Sequence, residues 1–493
     1  MKRFPPTAAL LVCALTACSF APSYKTPSTE RVPVQYKEAG DWKPAQPADT
    51  QPRGAWWSQF HDFQLDALEA RVLDANQNIK AALARLEQAR AQTRGARADL
   101  VPTVTAGSAA TRARTSINSP RFPLNSEPVG NNYQLSADVS YELDLWGRVR
   151  NEVAAAKAIQ QASAGDLATL DLAIHAELAT DYFALRSADA QQGLLDRTVD
   201  DYTQALVLTQ NLYNGGGAAL TDVAQAQAQL ETARTQAADI RLQRAQTEHA
   251  IAVLLGEYPS AFHLDPNPLP KEFSPPPINA GLPSALLERR PDIAAAERRV
   301  AAANAEIGVA RAAYFPVFHL SSLLGYDSAQ ASTLLHAPSQ TWSFGPAAVL
   351  TLFDGGRHRA QSSQAHAAFD EQVANYRNSV LTAYQEVEDN LAALRQLQQE
   401  SVSQAAAVTA TGKALQQANY RYKGGLVTYL EVASTENTAL QAQLSAVAIQ
   451  LRRLHASVLL VKALGGGWQS EKTVQSGGDT RMAAAGKPLP TDP

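Results

Sequence analysis

Few residues in this chain of 493 combine the types and spacing that chemistry needs. The nine histidines are scattered, and only His358 and His366, eight apart beside "GRHR", could share a helix face. Solvated polar side chains account for such a pair better than a metal centre, which needs more ligands than two. The acidic run "QEVEDN" (385–390) could draw a cation, but on a long helix it reads first as a wet face. No HExxH, CxxC, GxSxG or phosphate-binding glycine loop is present, so metal-assisted hydrolysis, dithiol exchange, acyl transfer and nucleotide chemistry have no motif to rest on. Nothing points to a cofactor, and the chain reads as a non-enzyme.

Cys18 is the residue with a chemistry of its own. Lys2 and Arg3 precede an apolar run, Ala8 to Leu15, that is too short to span a bilayer and ends in "LTAC" (15–18). That is the layout of a secretory signal peptide over residues 1–17. A cysteine directly after Leu-Thr-Ala resembles a bacterial lipoprotein box, in which Cys18 becomes the new N-terminus and carries acyl chains such as palmitate. Ser19 stands where an Asp would suggest retention at the inner membrane, so the resemblance points to the outer one.

With Cys13 lost in the signal and Cys18 acylated, no disulfide can form in the mature chain. Met482 is then its one methionine, so soft ligands for copper are missing, although a passive duct need not bind its cargo. Loss of Lys2 and Arg3 reduces the 43 basic residues to 41 against 47 acidic ones, with no basic block, which argues against nucleic acid as a partner. No later stretch approaches 18 uninterrupted apolar residues, so any crossing of a membrane must be made by strands.

Such strands are visible. In "YQLSADVSYELDL" (133–145) the odd-numbered residues, including Leu135, Val139 and Tyr141, are apolar, and the even-numbered ones, including Asp138 and Glu142, are polar. Segments near 103–115, 131–145, 316–326 and 340–353 read as four such strands per chain, with Leu323, Pro346 and Val349 breaking the alternation in the second pair. Four strands cannot close a barrel, and an open edge cannot stay in lipid, so strands must be pooled between copies of the chain. Leu135, Val139 and Tyr141 are then expected to face lipid, and Asp138 and Glu142 a water-filled lumen.

The elements around the strands repeat. "IKAALARLEQARAQTRGARADLVPTV" (79–104) matches "IAAAERRVAAANAEIGVARAAYFPVF" (293–318) at an offset of 214, and from there an offset of 209 pairs "GRVR" (147–150) with "GRHR" (356–359). Each half is a helix, two strands, a long helix (148–213 and 357–422), a glycine turn and a returning helix. The first long helix carries the heptad stripe Leu195, Val199, Tyr202 and Leu206. Its 66 residues would span about 100 Å. Gly215 and Gly216 in the first half, and Gly424 and Gly425 in the second, mark the hairpin tips. The expected division is an extended lipidated segment (18–62), a first half (63–264), a Pro-rich linker (265–280), a second half (281–468) and a disordered tail (469–493).

These residues, in this order, resemble the outer-membrane factors of bacterial tripartite efflux, in the TolC-like lipoprotein branch typified by OprM and NodT. The resemblance covers nearly the whole mature chain. It rests on "CSFAPSYKTP" (18–27), "WWSQFHDFQLDALEARVLDANQNIKAALARLEQAR" (56–90), "YELDLWGRVR" (141–150), "LLERRPDIAAAERRVAAANAEIGVARAAYFP" (286–316), "LFDGGR" (352–357) and "YRYKGGLVTYLEV" (420–432). It implies an α+β membrane protein: a homotrimer with a 12-stranded outer-membrane β-barrel, continued by a long periplasmic α-helical barrel. It also implies a periplasmic adaptor and an inner-membrane transporter as partners, and passive export of antibiotics, aromatic acids or similar toxic compounds. No residue decides for the fusaric-acid type of system within the family. The rival reading is a lipid-anchored periplasmic coiled-coil adaptor or scaffold, which long hairpins fit equally well and strands do not.

The resemblance also places a periplasmic gate at the hairpin tips. Leu430 and Ser434, one turn apart in "YLEVASTE" (429–436), would point at the threefold axis. The branch often has an Asp at the position of Ser434, so the carboxylate ring is in doubt here, and Asp222 and its repeat partner Glu431 are candidates to supply charge. Acids in a first helical turn also simply favour the helix dipole.

Overall fold

A computed structural model describes residues 19–28, 54–118, 127–270, 273–276 and 289–466. The signal peptide, Cys18, Met482, most of the extended N-terminal segment, part of the Pro-rich linker and the C-terminal tail lie outside the described residues. After a short 3-10 turn (Trp56–Phe60) come helices α1 (Phe63–Ala75) and α2 (Gln77–Ala98), strands β1 (Thr103–Arg114) and β2 (Val129–Leu143), and helices α3 (Arg148–Asn214) and α4 (Leu220–Leu254). The order then recurs as α5 (Pro291–Ala312), β3 (Val317–Ser328), β4 (Gln340–Val349), α6 (Arg357–Lys423) and α7 (Tyr429–Ala463). The helices α3 and α6 each run 67 residues.

The chain divides into two compact units. One gathers the described N-terminal stretch with Leu83–Asp166 and Asp292–Ser379. Among the described residues it holds one antiparallel sheet, of order β1-β2-β3-β4. The other includes Leu167–Pro291 and the chain from Val380 onward, and it holds the main hydrophobic core. Trp56, Phe60, Leu65, Val72, Phe183 and Val458 meet in that core. Arg186 is buried, and the two terminal nitrogens of its guanidinium are bonded: Nη1 to Asp189 at 2.8 Å and Nη2 to Gln64 at 2.7 Å.

The long helices stay paired because each carries a stripe of apolar and small residues. Leu195 and Tyr202 of the heptad stripe are buried, and Val199 and Leu206 pack beside Leu230 and Ala233 of α4. Alanines in the stripe let the backbones approach closely. The helix α7 is long and apolar enough by composition to cross a membrane, but Leu440, Leu454, Val458 and Val461 on it are buried within the chain. At the tips, Gly217 N–H reaches Leu212 O at 2.7 Å and Leu426 N–H reaches Arg421 O at 2.9 Å. Those bonds put the preceding residues, Gly216 and Gly425, at φ of 78° and 71°, the left-handed region that a side chain resists.

Two strands end earlier than their alternation predicts. The strand β2 stops at Leu143, because Leu145 N–H turns back to Leu143 O at 2.8 Å and the Asp144 carboxylate accepts Arg150 N–H at 2.9 Å. Asp144 is therefore a helix cap rather than a strand residue. The strand β4 stops at Val349, and Asp354 caps α6, accepting the N–H groups of Gly356 at 2.8 Å and His358 at 2.7 Å. Those backbone bonds hold the Asp354 carboxyl below the usual carboxylate range.

Candidate functional site

The sheet register shows what each face presents. Residues directly opposite one another in an antiparallel pair lie on the same face. Asp138 of β2 stands opposite Thr105 of β1 and Leu323 of β3; Ser140 stands opposite Thr103 and Ser321, and Glu142 opposite His319. That face is polar, with Leu323 its main exception and the Val317–Val349 pair at its base. The other face carries Leu135 opposite Tyr326, Val139 opposite Val104, Tyr141 opposite Leu320, and Leu324 opposite Trp342. Trp342 is 73% exposed and Phe344 65%, so the chain itself leaves this apolar face uncovered. Pro346 lies on β4, an edge of the chain's own sheet, where a missing N–H is tolerated. The outer edges of β1 and β4 have no partner strand among the described residues.

The two carboxylates singled out on the polar face differ. Asp138 accepts a bond from Ser136 Oγ at 2.9 Å. Glu142 is held by a two-pronged contact with Arg148, Nε to Oε1 at 2.7 Å and Nη2 to Oε2 at 2.8 Å, so its charge is neutralised at the strand-to-helix junction. The motif "GRVR" thus acts as a clamp on the sheet, Arg148 gripping Glu142 and Arg150 gripping Asp144.

His358 and His366 turn to different partners: His358 lies by Asp354 and Gln361, whereas the His366 ring bonds Ser362 O at 2.8 Å and faces Arg311. In "QEVEDN", Glu386 pairs with Arg290 at 2.6 Å and Val387 is buried. Among the described residues no three His, Cys, Asp or Glu side chains converge as a metal would need.

At the hairpin tips, α7 divides its residues between two faces. Tyr429, Val432 and Ala433 are buried against Ala226 of α4 and Ala418 of α6. Leu430, 55% exposed, and Ser434, also exposed, share the opposite side one turn apart. Glu431 forms an exposed ion pair with Arg421 at 2.5 Å, and the Asp222 carboxylate accepts Ala219 N–H at 3.1 Å as a helix cap. Both acids therefore have local partners within their own hairpins.

Two features were not read from the sequence. Glu436 lies seven residues, about two helical turns, after Tyr429 in line with the buried stripe Tyr429, Val432, Ala433, Ala439 and Leu440, a spacing that marks it as inward-facing. Its Oε2 and the Tyr429 hydroxyl have no hydrogen-bond partner among the described residues. Burial first, and then the nearby Asp201 charge, raise its carboxyl to about 7. The second feature is a strap just after Cys18. Phe20 stacks on Phe315 at 4.5 Å, Arg311 and Asn304 bond the carbonyls of Phe20 and Pro22, and Tyr24 donates to Glu297 at 2.6 Å. Gly308 leaves room for it: a Cβ there would lie 2.8 Å from Ala21 Cβ and collide with Asn151. A segment this short has no periodicity and carries no such signal in sequence.

A four-stranded sheet with one apolar and one polar face, in a chain of paired long helices, is the architecture of an outer-membrane channel protein. The model of the family described as "Outer membrane efflux protein" matches residues 69–257 and 282–466. OprJ, an outer membrane protein of Pseudomonas aeruginosa, is 34% identical over 478 residues, which cover 96% of this chain and 97% of OprJ. TtgC, the toluene efflux pump outer membrane protein of Pseudomonas putida, is 33% identical, covering 94% of this chain and 97% of TtgC. The solved structure of the outer-membrane channel OprN is similar with a TM-score of 0.82 at 30% identity, covering 92% of this chain and 100% of that one. The chain belongs to the outer membrane efflux protein family, and it is the outer-membrane channel component of an efflux system.

Proposed function

We propose that three copies pool their strands into one 12-stranded barrel, and that the long helices continue the duct into the periplasm toward an adaptor and an inner-membrane transporter. The observation that carries this is the sheet itself: among the described residues both outer edges lack a partner strand, and one face is apolar, a combination that favours aggregation in water and that lipid tolerates only once the sheet is closed. The sheet is also what a coiled-coil adaptor would lack. Leu135, Val139 and Tyr141 then touch lipid, and Asp138 and Glu142 line the lumen wall. Cys18 is acylated and adds a second hold on the outer membrane, marginal by itself beside a closed barrel.

Transport through this duct is passive, with no catalytic group. The cargo is small toxic organic molecules, in keeping with the toluene named for TtgC. Leu430 and Ser434 narrow the periplasmic end, flanked by Glu431 and Asp222, and the turns at Gly215, Gly216, Gly424 and Gly425 meet the adaptor. Expression of the chain with a compatible adaptor and pump in a cell lacking its own efflux channel should restore resistance to such compounds. Purified protein should form ion-conducting pores in planar bilayers. Restored resistance without pores, or pores without any effect on resistance, would defeat the reading.

A further inference from the structure

The apolar face of the sheet is not apolar to its end. On β1 it runs through Val104, Ala106 and Ala110, and Ala110 stands opposite Tyr133. Tyr326 lies opposite Leu135, the next residue on this face from Tyr133 toward the helices, and Trp342 opposite Leu324. Three large amphipathic rings thus fall within adjacent levels, the arrangement by which barrels mark the boundary between hydrocarbon and headgroups. Past Tyr133 the same face continues with Arg112, opposite Asn131, and Arg114, opposite Val129. These are the only charged residues on that face of the four strands, and both lie at the end away from the helices. Both are exposed and neither makes an ion pair among the described residues. They stand about 7 Å apart, with Arg112 about 7 Å beyond the level of Tyr133, at roughly 3.4 Å per residue.

We propose that Arg112 and Arg114 bind the phosphates of a phosphorylated glycolipid headgroup in the outer leaflet. This rests on the reading that the apolar face meets lipid and the helices lie in the periplasm. A guanidinium at headgroup depth has a fixed fork that matches two phosphate oxygens, and it is weakly hydrated enough to surrender water for them. Two forks on one strand face reach two phosphates of one headgroup. The opposite end of the same face, with Leu143 and Phe318, carries no charge, so the preference belongs to one leaflet.

Native mass spectrometry of the full-length trimer in detergent tests this, with bisphosphorylated lipid A and a phosphate-free analogue as probes. The wild type should bind the bisphosphorylated form about tenfold more tightly. Arg112→Gln/Arg114→Gln should erase that preference while still running as an SDS-resistant trimer, and Arg112→Lys/Arg114→Lys should fall between. If the double Gln variant gives no trimer, Arg114→Gln, at the strand end, carries the comparison. Equal binding of the two lipids, or a preference unchanged in the variants, would overturn the proposal. So would loss of the trimer with no phosphate preference in the wild type, which would assign the arginines to a carboxylate of the neighbouring copy. The underlying reading is checked separately by a bimane on Val139→Cys in vesicles of brominated phosphatidylcholine. Quenching without a phosphate preference removes the headgroup site alone, and absence of quenching removes both.

Discussion

The inward-facing carboxyl of Glu436 should make the hairpin tip sensitive to pH. It lies on α7 among groups that give its charge no answer: Asp201 and Tyr202 from α3, Tyr429 on its own helix, and Tyr422 of α6 beside Tyr429. A rise from 4.5 to about 7 corresponds, at about 1.36 kcal/mol per unit, to about 3 kcal/mol, which partial exposure to water reduces to on the order of 2 kcal/mol. The sign follows from the direction. The carboxyl is raised in the folded chain, so its contribution to stability is fully present below 4.5 and is lost as pH rises through about 7. The packed tip should therefore be tightest in acid and loosen toward pH 8. Hydrogen–deuterium exchange of the amides of residues 200–214 and 425–440, corrected for intrinsic rates, reads this opening directly. Glu436→Gln should slow exchange there at pH 8 by roughly tenfold or more and match the wild type at pH 4. Equal protection at pH 8, or a wild-type tip that tightens as pH rises, would refute the burial argument.

Val139→Arg should destabilise the barrel by about 2–4 kcal/mol if the site lies near the bilayer midplane, seen as reduced recovery of SDS-resistant trimer, whereas Asp138→Asn should assemble normally and alter ion selectivity in planar bilayers. Gly308→Ala should cost about 1–3 kcal/mol by crowding Ala21 and Asn151, measured as faster proteolysis at the strap around Phe20 with little change at the hairpin tips. Ser434→Cys should crosslink two copies on mild oxidation and lower conductance, with reductant restoring it; a thiol that stays freely reactive and uncrosslinked would move the gate elsewhere.

Periodicity made the regular elements legible. The alternation in 133–145 and the 209-residue offset point to strands and long helices at the positions they occupy, because period 2 and the heptad stripe are imposed by burial along the whole element. Element ends were less legible: Asp144 continues the alternation but caps a helix, since one backbone N–H to accept outweighs a pattern of polarity. Glu142 read as an open lumen charge, and only the three-dimensional return of Arg148 discloses its pairing. The spacing of Glu436 turns it inward, but residue type alone does not separate it from the other acids on the long helices. The strap Ser19–Tyr24 has no period and is held by carbonyl acceptors and a ring stack, which leave no trace in residue type.

The number of copies that close one barrel tests the account most directly. Native mass spectrometry of the mature, acylated protein released from lipid nanodiscs should give three chains, pooling four strands from each into twelve. A single chain, or a dimer whose eight strands would leave an interior filled by side chains, would contradict it.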